Sequence, residues 1–600
     1  MFKIDQQDII YNIIPVSPGI AIGKTMFIAS GDDLGQSTAK NLIASEEVES
    51  EIAKLHDTIE KTKNKIASLS NELKSKLAGS QATIFDAHLM MISDKSLISA
   101  AENGIRNELK NAAWSFADAA EKYASVMDAM PDPYLSERAA DIRDVAKRFL
   151  EVFYNNEEKN ITDRVSDRRI IIANELTPSE TAKLDKKKIL GFAVAKGSAT
   201  SHTAILARSI QIPALVGIPE ELNALPSDIP VIIDGFAGRL IVNPRPRTLE
   251  AYRLKAAEAN KIYSRLLQDK KLVAETTDGF VVQLAVNLEN SENGSKLSEF
   301  GAEAVGLFRT ELLFMGRDTL PDEEEQFELY KKLLSSVEGR MVVIRTLDVG
   351  GDKHNNLIYK TDEENPFLGL RGIRLCLKER RDIFRTQLRA LLRAGIYGNL
   401  KIMLPMLSSV IEVHETRALI AEIQEELSQE NIEHLHNVCL GGMVETPVCA
   451  LMVDHFAAIL DFLSIGTNDL VQYTMSIDRV NEKVSYLYQP ASPAVLELIH
   501  RTVTAAKKHN IWVSVCGEMA GDPLYTPLLL GLGIDELSME PNSLNAVRRV
   551  VRSLSMSDAE NMVQQAMHCT RSKEVRDLTM ELLKKSAPEV AELLLMQQNN

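Results

Sequence analysis

Cysteine is scarce in this 600-residue chain: Cys376, Cys439, Cys449, Cys516 and Cys569 are all there is, and no two form a Cys-x-x-Cys pair. An odd, dispersed set of this kind excludes a disulfide framework and the usual zinc-ligand spacings, and points to a reducing compartment. Long apolar runs are missing as well. No stretch reaches the roughly 18 apolar residues of a membrane-spanning helix. The opening Met1-Phe-Lys-Ile-Asp-Gln-Gln-Asp8 carries acids and not the apolar core of a secretory signal. Positive charge is in deficit, with 68 Lys+Arg against 84 Asp+Glu and a formal net charge of −16. That balance excludes a general nucleic-acid binder and favours attraction to basic partner surfaces. The expectation is a cytoplasmic protein with no nucleic-acid partner and no membrane insertion.

What is present is an ordinary globular composition, 45% hydrophobic and 25% charged, over a length that calls for several domains. A strand-like run covers Ile13 to Gly23. Residues 44–150 turn helical, and Ile52, Leu55, Ile59, Ile66, Leu69 and Leu73 form the three- and four-residue stripe of a long amphipathic helix. Gly79-Ser80 breaks it. A second helix runs from Gln81 to Asp94, and helices continue to about 155 with an interruption at Pro131-Asp-Pro133. This bundle holds no catalytic cluster and has the character of a docking surface. From about 168 the period changes: Arg169–Ala173, Ile189–Val194, Val231–Gly235 and Arg239–Asn243 are short apolar runs bounded by turn signals. A charged helical stretch from Pro246 to Leu272 then leads into eight buried-strand patterns, near 281–286, 304–308, 341–346, 401–405, 439–444, 461–465, 511–515 and 534–538. Eight strands alternating with helices predict a (β/α)8 TIM barrel. The fold expected is therefore a multidomain α/β protein. An α/β domain (1–30 and 151–245) carries an inserted helical bundle (31–150), and a linker helix (246–272) joins it to a C-terminal barrel (273–600).

Two constellations carry chemistry. In Lys196-Gly-Ser-Ala-Thr-Ser-His202-Thr-Ala-Ile-Leu-Ala-Arg208 a histidine stands among small hydroxyl residues at the start of an apolar helix. A helix N-terminus favours an anion, and an imidazole with an unperturbed pKa near ~6.5 can act there as a nucleophile toward a phosphoryl group. The second constellation lies at the C-terminal ends of the barrel strands: Asn287, Arg309-Thr-Glu311, Arg345-Thr-Leu-Asp348, Glu445-Thr-Pro447, Gly466-Thr-Asn-Asp469 and Cys516-Gly-Glu518, with Arg371, Arg374 and Arg479 nearby. Guanidinium groups bind phosphate and carboxylate oxygens bidentately. Glu445 and Asp469 are hard oxygen ligands of the kind Mg²⁺ takes beside substrate phosphate. Gly350-Gly-Asp-Lys353 offers a flexible loop with a cation. Taken singly, each has an ordinary reading: Glu-Thr-Pro as a helix start, the cysteine as a small core residue, an arginine as a surface ion pair. Their shared place at one barrel mouth is what makes a site.

The whole chain resembles the enzyme I family of the bacterial phosphoenolpyruvate–sugar phosphotransferase system, the phosphoenolpyruvate–protein phosphotransferases. The resemblance rests on Ser17–Gly23, Glu137-Arg-Ala-Ala-Asp-Ile-Arg-Asp144, Leu176–Ala182 and Thr200-Ser-His-Thr203. In the barrel it rests on Gly306–Glu311, Gly350–Lys353, Asn365-Pro-Phe-Leu-Gly369, Met443–Pro447, Ser464–Leu470 and Cys516–Glu518, in the family's order. Two departures stand out: Ser198 replaces a family glycine before the Thr-Ser-His, and Val480 follows Asp478-Arg479 where the family has glycine.

The resemblance implies that His202 accepts the phosphoryl group at Nε2, with Thr181 as a partner of the other ring nitrogen. It implies that Arg309, Arg345, Arg371 and Arg479 clamp phosphoenolpyruvate with Lys353, Asn468 and Asp469 assisting. Glu445 and Asp469 hold Mg²⁺ on this reading, and Cys516 protonates the enolate to give pyruvate. The bundle docks a small histidine-containing phosphocarrier protein, Arg138 being a contact, and the protein is a homodimer through its barrels. Pyruvate-phosphate dikinases and phosphoenolpyruvate synthases share the histidine domain and barrel. They need an ATP-binding domain before the histidine, for which the 201 preceding residues, mostly helical, leave no place. A nitrogen-related enzyme I would carry an extra N-terminal sensory domain, for which there is no room either, and the intact His202, arginine, carboxylate and cysteine set argues against a non-catalytic scaffold.

Overall fold

The computed structural model describes residues 8–28, 41–76, 83–128, 133–155, 167–177, 180–181, 184–196, 202–219, 221–222, 226–315, 319–350, 357–359, 363–479, 481 and 483–598. The chain divides into two compact units, Met1–Lys261 with Leu595–Asn600, and Ile262–Leu594. The division falls inside the helix Pro246–Gln268.

The first unit is built on an eight-stranded sheet. Its strands are β1 Ile9–Asn12, β2 Ile14–Ser17, β3 Ile20–Ile28, β4 Arg169–Ala173, β5 Ile189–Val194, β6 Ala214–Val216, β7 Pro230–Asp234 and β8 Arg239–Val242, in the order β1-β8-β7-β3-β4-β5-β6-β2. The centre, β3 to β6, is parallel, and the flanking pairs are antiparallel. Both faces of the central strands are buried, which is why they read as unbroken apolar runs. Ile170, Ile172, Ala193, Leu215 and Ile233 line one face, and Ile171, Ala173, Phe192, Val194 and Val216 the other. The run expected over Ile13–Gly23 splits at Pro18-Gly19 into β2 and β3, and β1 and the three-residue β6 lay outside the sequence reading.

The helix His202–Ile210 lies against the second face through Ala204, Ala207 and Ile210. Its Leu206 enters the core of the helical bundle. The histidine helix thus packs on both the sheet and the bundle. The bundle comprises Val48–Lys76, Thr83–Ile92, Lys95–Glu108, Ala112–Asp128 and Pro133–Phe153. Of the expected stripe, Ile52, Leu55, Ile59, Ile66 and Leu69 are buried and the side chain of Leu73 lies outside the described residues; Phe116 stacks on Phe149 at 4.0 Å. Asp94, expected as the end of the second helix, instead caps the third, accepting from the N–H groups of Ser96 (2.7 Å) and Leu97 (3.1 Å). The Gly79-Ser80 break lies outside the described residues.

The second unit contains a closed barrel of eight parallel strands. They are β9 Gln283–Leu288, β10 Ala304–Phe308, β11 Met341–Arg345, β12 Asn399–Leu404, β13 Cys439–Val444, β14 Phe462–Ile465, β15 Trp512–Val515 and β16 Glu536–Met539. All eight expected strands are present. The first starts later than its apolar run because Val281 is taken by an antiparallel bridge to Glu275. Leu307, Val343, Met403, Met443, Phe462 and Cys516 pack together inside. The lumen is therefore a core, and polar chemistry is confined to its ends.

Candidate active site

The C-terminal ends of β11, β13 and β14 bring three arginines and four carboxylates together. Arg345, the last residue of β11, is buried; its Nη2 meets Glu311 Oε1 at 2.5 Å and its Nη1 meets Asp348 Oδ2 at 2.9 Å. Arg371 donates from Nε and Nη2 to Asp348 at 3.0–3.3 Å, from Nη2 to Asp469 Oδ2 at 3.0 Å, and from Nη1 to the Tyr473 hydroxyl at 3.1 Å. Arg479 stands with Nη1 3.9 Å from Asp469 Oδ1, close enough for charge attraction and too far for a hydrogen bond. Buried guanidinium groups persist only with such partners, because an uncompensated ion at this depth is strongly destabilising. Arg309, one residue past β10, is partly exposed and pairs with Glu289 at 2.6 Å.

Glu445 follows β13, and the local sequence explains its direction. Thr446 caps the helix Pro447–Leu451, accepting from Cys449 N–H at 3.2 Å with Pro447 in the first turn. The carboxylate is left to the lumen, where Oε1 accepts from Met406 N–H at 2.6 Å. Gly466 makes room for it: a Cβ there would sit 2.9 Å from Glu445 Oε2. Burial, and then the charges of Asp348 and Asp469, push the Glu445 carboxyl well above the usual carboxylate range. Asp469 Oδ1 is buried and has no hydrogen-bond partner among the described residues. A buried carboxylate oxygen without a donor, beside a second carboxyl raised by its neighbours' negative charge, is a donor set that a hard dication satisfies. Among the described residues no group of three or more His, Cys, Asp or Glu forms a metal cage. Two carboxylates with the remaining positions left to water and substrate oxygens is the arrangement Mg²⁺ takes.

Cys516 follows β15 and is buried. Its sulfur accepts from the Ser464 hydroxyl at 3.2 Å, and Ser464 in turn accepts from Ser514 at 2.8 Å. Burial pushes the thiol up to about 11, with the Ser464 hydrogen bond working against the shift. The group is therefore an intact S–H donor at neutral pH. Asn287 Nδ2 donates to the Cys516 carbonyl at 3.1 Å and fixes the backbone there. Asn468 and Glu518 bind each other twice, at 3.0 and 2.8 Å, joining the loops after β14 and β15.

In the first unit His202 opens its helix, and its side chain lies outside the described residues. The neighbouring Thr203 hydroxyl donates to the Leu176 carbonyl at 2.8 Å, tying the helix start to the segment that bears Thr181. Thr181 is buried with its own hydroxyl donated to the Thr177 carbonyl at 2.9 Å. Lys353, Ser198 and Val480 lie outside the described residues, as does the side chain of Arg138 on the helix Pro133–Phe153. Arg374 sits on the helix Ile373–Lys378.

Asp348, named from the sequence only as the end of Arg345-Thr-Leu-Asp348, bridges Arg345 and Arg371. Two further contributors were not singled out from the sequence. Tyr473 lies four residues after Asp469 on the helix Thr467–Thr474, a spacing that puts both on one helix face. Gln387, fully buried, accepts from Leu347 N–H (2.9 Å) and donates to Thr310 (3.3 Å) and Tyr330 (3.2 Å), pinning the loops after β10 and β11. No local pattern marks it.

Models of the PEP-utilising enzymes match throughout: the N-terminal domain at residues 14–138, the mobile domain at 165–238 and the PEP-binding domain at 264–556. Within that class the chain belongs to the phosphoenolpyruvate-protein phosphotransferase family. It is 43% identical over 565 residues to the phosphoenolpyruvate-protein phosphotransferase of Priestia megaterium, covering 94% of this chain and 97% of the relative. It is 41% identical over 571 residues to that of Staphylococcus carnosus, covering 95% and 98%. A solution structure of an Enzyme I protein is 38% identical over 42% of this chain and 99% of its own, with a TM-score of 0.34.

Proposed function

We propose that the protein transfers the phosphoryl group of phosphoenolpyruvate to its own His202 and then to a histidine of a small phosphocarrier protein, releasing pyruvate. This is the first step of phosphotransferase-system sugar uptake. The observation that carries the reading is the convergence of Arg345 and Arg371 on Asp348, and of Arg371 and Arg479 on Asp469, beside the buried Glu445 at one barrel mouth, in a chain matching phosphotransferases over nearly its full length. Arg309, Arg345, Arg371 and Arg479, with Lys353 and Asn468, hold the phosphate and carboxylate of the substrate. Glu445 and Asp469 hold Mg²⁺, which when bound neutralises charge on the transferring group and the enolate oxygen. His202 Nε2 is the nucleophile, with Thr181 near its helix start as the candidate partner for the other ring nitrogen. Cys516 gives its proton to the methylene carbon of the enolate, completing pyruvate, and the thiolate left behind is stabilised by the Ser464 hydroxyl.

Residues 1–30 and 151–245 form the phosphohistidine domain, 31–150 the carrier-docking domain with Arg138 as a contact, 246–272 the linker and 273–600 the substrate barrel. The working form is a cytoplasmic homodimer joined through the barrels. The test is incubation with labelled phosphoenolpyruvate and Mg²⁺. The expected product is one acid-labile, base-stable label, absent from His202→Ala, while that variant still binds phosphoenolpyruvate. A label retained by His202→Ala overturns the assignment of the nucleophile.

A further inference from the structure

We infer that Tyr473 is a positioning residue for the substrate clamp. Its hydroxyl sets the Arg371 guanidinium and ties it to the Asn365-Pro-Phe-Leu-Gly369 segment, so that Arg371 presents its remaining Nη1 hydrogen to the anionic end of the substrate. The inference rests on the assignment of Arg371 to the clamp made above.

The hydroxyl has one proton and uses it on the Phe367 carbonyl, 2.5 Å away. Its oxygen then accepts from Arg371 Nη1 at 3.1 Å. Arg371 has five N–H groups in a rigid plane. Nε and Nη2 are committed to Asp348 and Asp469, and one Nη1 hydrogen to Tyr473, which among the described residues leaves the second Nη1 hydrogen for a ligand. The stem of the arginine is fixed from the other side. Gly350 adopts φ +127°, and a Cβ there would lie 2.4 Å from Arg371 Cβ, so only glycine lets the two backbones pack this closely. Stem and carboxylate-bound edge are thus held by Gly350, Asp348 and Asp469, and Nη1 is held by Tyr473. Burial pushes the tyrosine hydroxyl up to about 12, with Arg371 acting against the shift, so it keeps the proton it gives to Phe367 throughout the neutral range. This also assigns a task to the Asn365–Gly369 motif, whose backbone is the anchor for the tyrosine.

The experiment uses the full-length protein with Tyr473→Phe, which keeps the ring, and Arg371→Ala in parallel. A hydrogen bond to a charged group is worth enough to move binding roughly tenfold or more. The expected result for Tyr473→Phe is that rise in KM and in directly measured Kd for phosphoenolpyruvate, with kcat changed less. Its melting temperature and the labelling of His202 from phosphorylated carrier protein should match wild type. Unchanged KM and Kd in Tyr473→Phe, alongside lost binding in Arg371→Ala, overturn the role of the tyrosine and leave the clamp standing. Wild-type binding by Arg371→Ala overturns the clamp reading itself. An equal loss of carrier-driven labelling in Tyr473→Phe marks general damage and also overturns positioning.

Discussion

At the C-terminal end of the barrel, Arg345 and Arg371 are 5% and 4% exposed, and their guanidinium groups are shared among Glu311, Asp348 and Asp469. At the N-terminal end, Glu536, the first residue of β16, is fully buried, and neither of its oxygens has a hydrogen-bond partner among the described residues. Burial first, then nearby Glu303, pushes this carboxyl up to about 8 against the pull of Lys401. Lys401 itself directs its ammonium to Cys439 Sγ at 3.4 Å. Equal depth, then, has opposite outcomes. At the mouth, Glu311, Asp348 and Asp469 keep the guanidinium groups of Arg345 and Arg371 paired and oriented, while Glu445 among them is pushed up as Glu536 is. At the floor, no donor is supplied and the group stays neutral by holding a proton. Buried ions survive where the chain provides partners, and chemistry on an anionic substrate needs them ionised.

The largest break in this contrast comes from removing a cation at the mouth. Arg345→Ala removes the guanidinium that Glu311 and Asp348 share. It should lower the rate of labelling from phosphoenolpyruvate by several orders of magnitude and destabilise the barrel by about 3–5 kcal/mol. Arg345→Lys should restore little, since Nη1 and Nη2 serve two different carboxylates and one ammonium cannot span both. Labelling kinetics and urea unfolding measure the two effects separately. Near-wild-type stability in Arg345→Ala would mean that the carboxylates do not depend on it.

Cys516 sharpens the contrast, because it lies at the charged end yet is neutral by burial. Cys516→Ala should slow pyruvate formation by roughly 10²–10⁴-fold, the range for losing a general acid. The cost in stability should be small, about 1 kcal/mol for a small side chain. With the thiol raised to about 11, the wild-type rate should show no loss attributable to its ionisation anywhere near neutrality. Pyruvate release at the wild-type rate in Cys516→Ala would return the residue to a packing role.

The two ends also differ in how far the sequence discloses them. All eight barrel strands were visible because parallel strands covered on both faces must be apolar throughout, and the mouth followed from polar residues ending those runs. Pairing was not visible. That Asp348 serves two arginines depends on the loop after β11 meeting Arg371, 23 residues on. Gln387 reaches Leu347 and Thr310 from a helix 40 and 77 residues distant. Glu536 passed unnoticed because a strand-initial glutamate normally faces water. In the first unit, the strands β4, β5, β7 and β8 were legible by the same apolar runs. The three-residue β6 is too short for any period, and Asp94 sits at a helix junction where one residue can end one helix or cap the next.

The smallest effect tests the floor alone. In the unfolded chain a glutamate carboxyl ionises near its ordinary value of 4.5, whereas in the fold Glu536 holds its proton up to about 8. Between those values the folded state binds the proton and the unfolded state does not. The contribution is therefore complete below the unfolded value and is lost as pH rises through the folded one. Glu536→Gln keeps the shape and cannot ionise, so its stability should be flat across this window. The expected outcome is a wild-type melting temperature that falls by several degrees relative to Glu536→Gln between about pH 4.5 and about pH 8 and levels off above that, with the two close at the acidic end. Transfer from phosphoenolpyruvate should be the same in both at about pH 7, because the residue lies at the opposite end of the lumen from Arg345 and Cys516. A difference in melting temperature that stays constant with pH would mean that Glu536 does not titrate in the fold. The floor would then be carrying an ion as the mouth does, and the contrast between the two ends would fail.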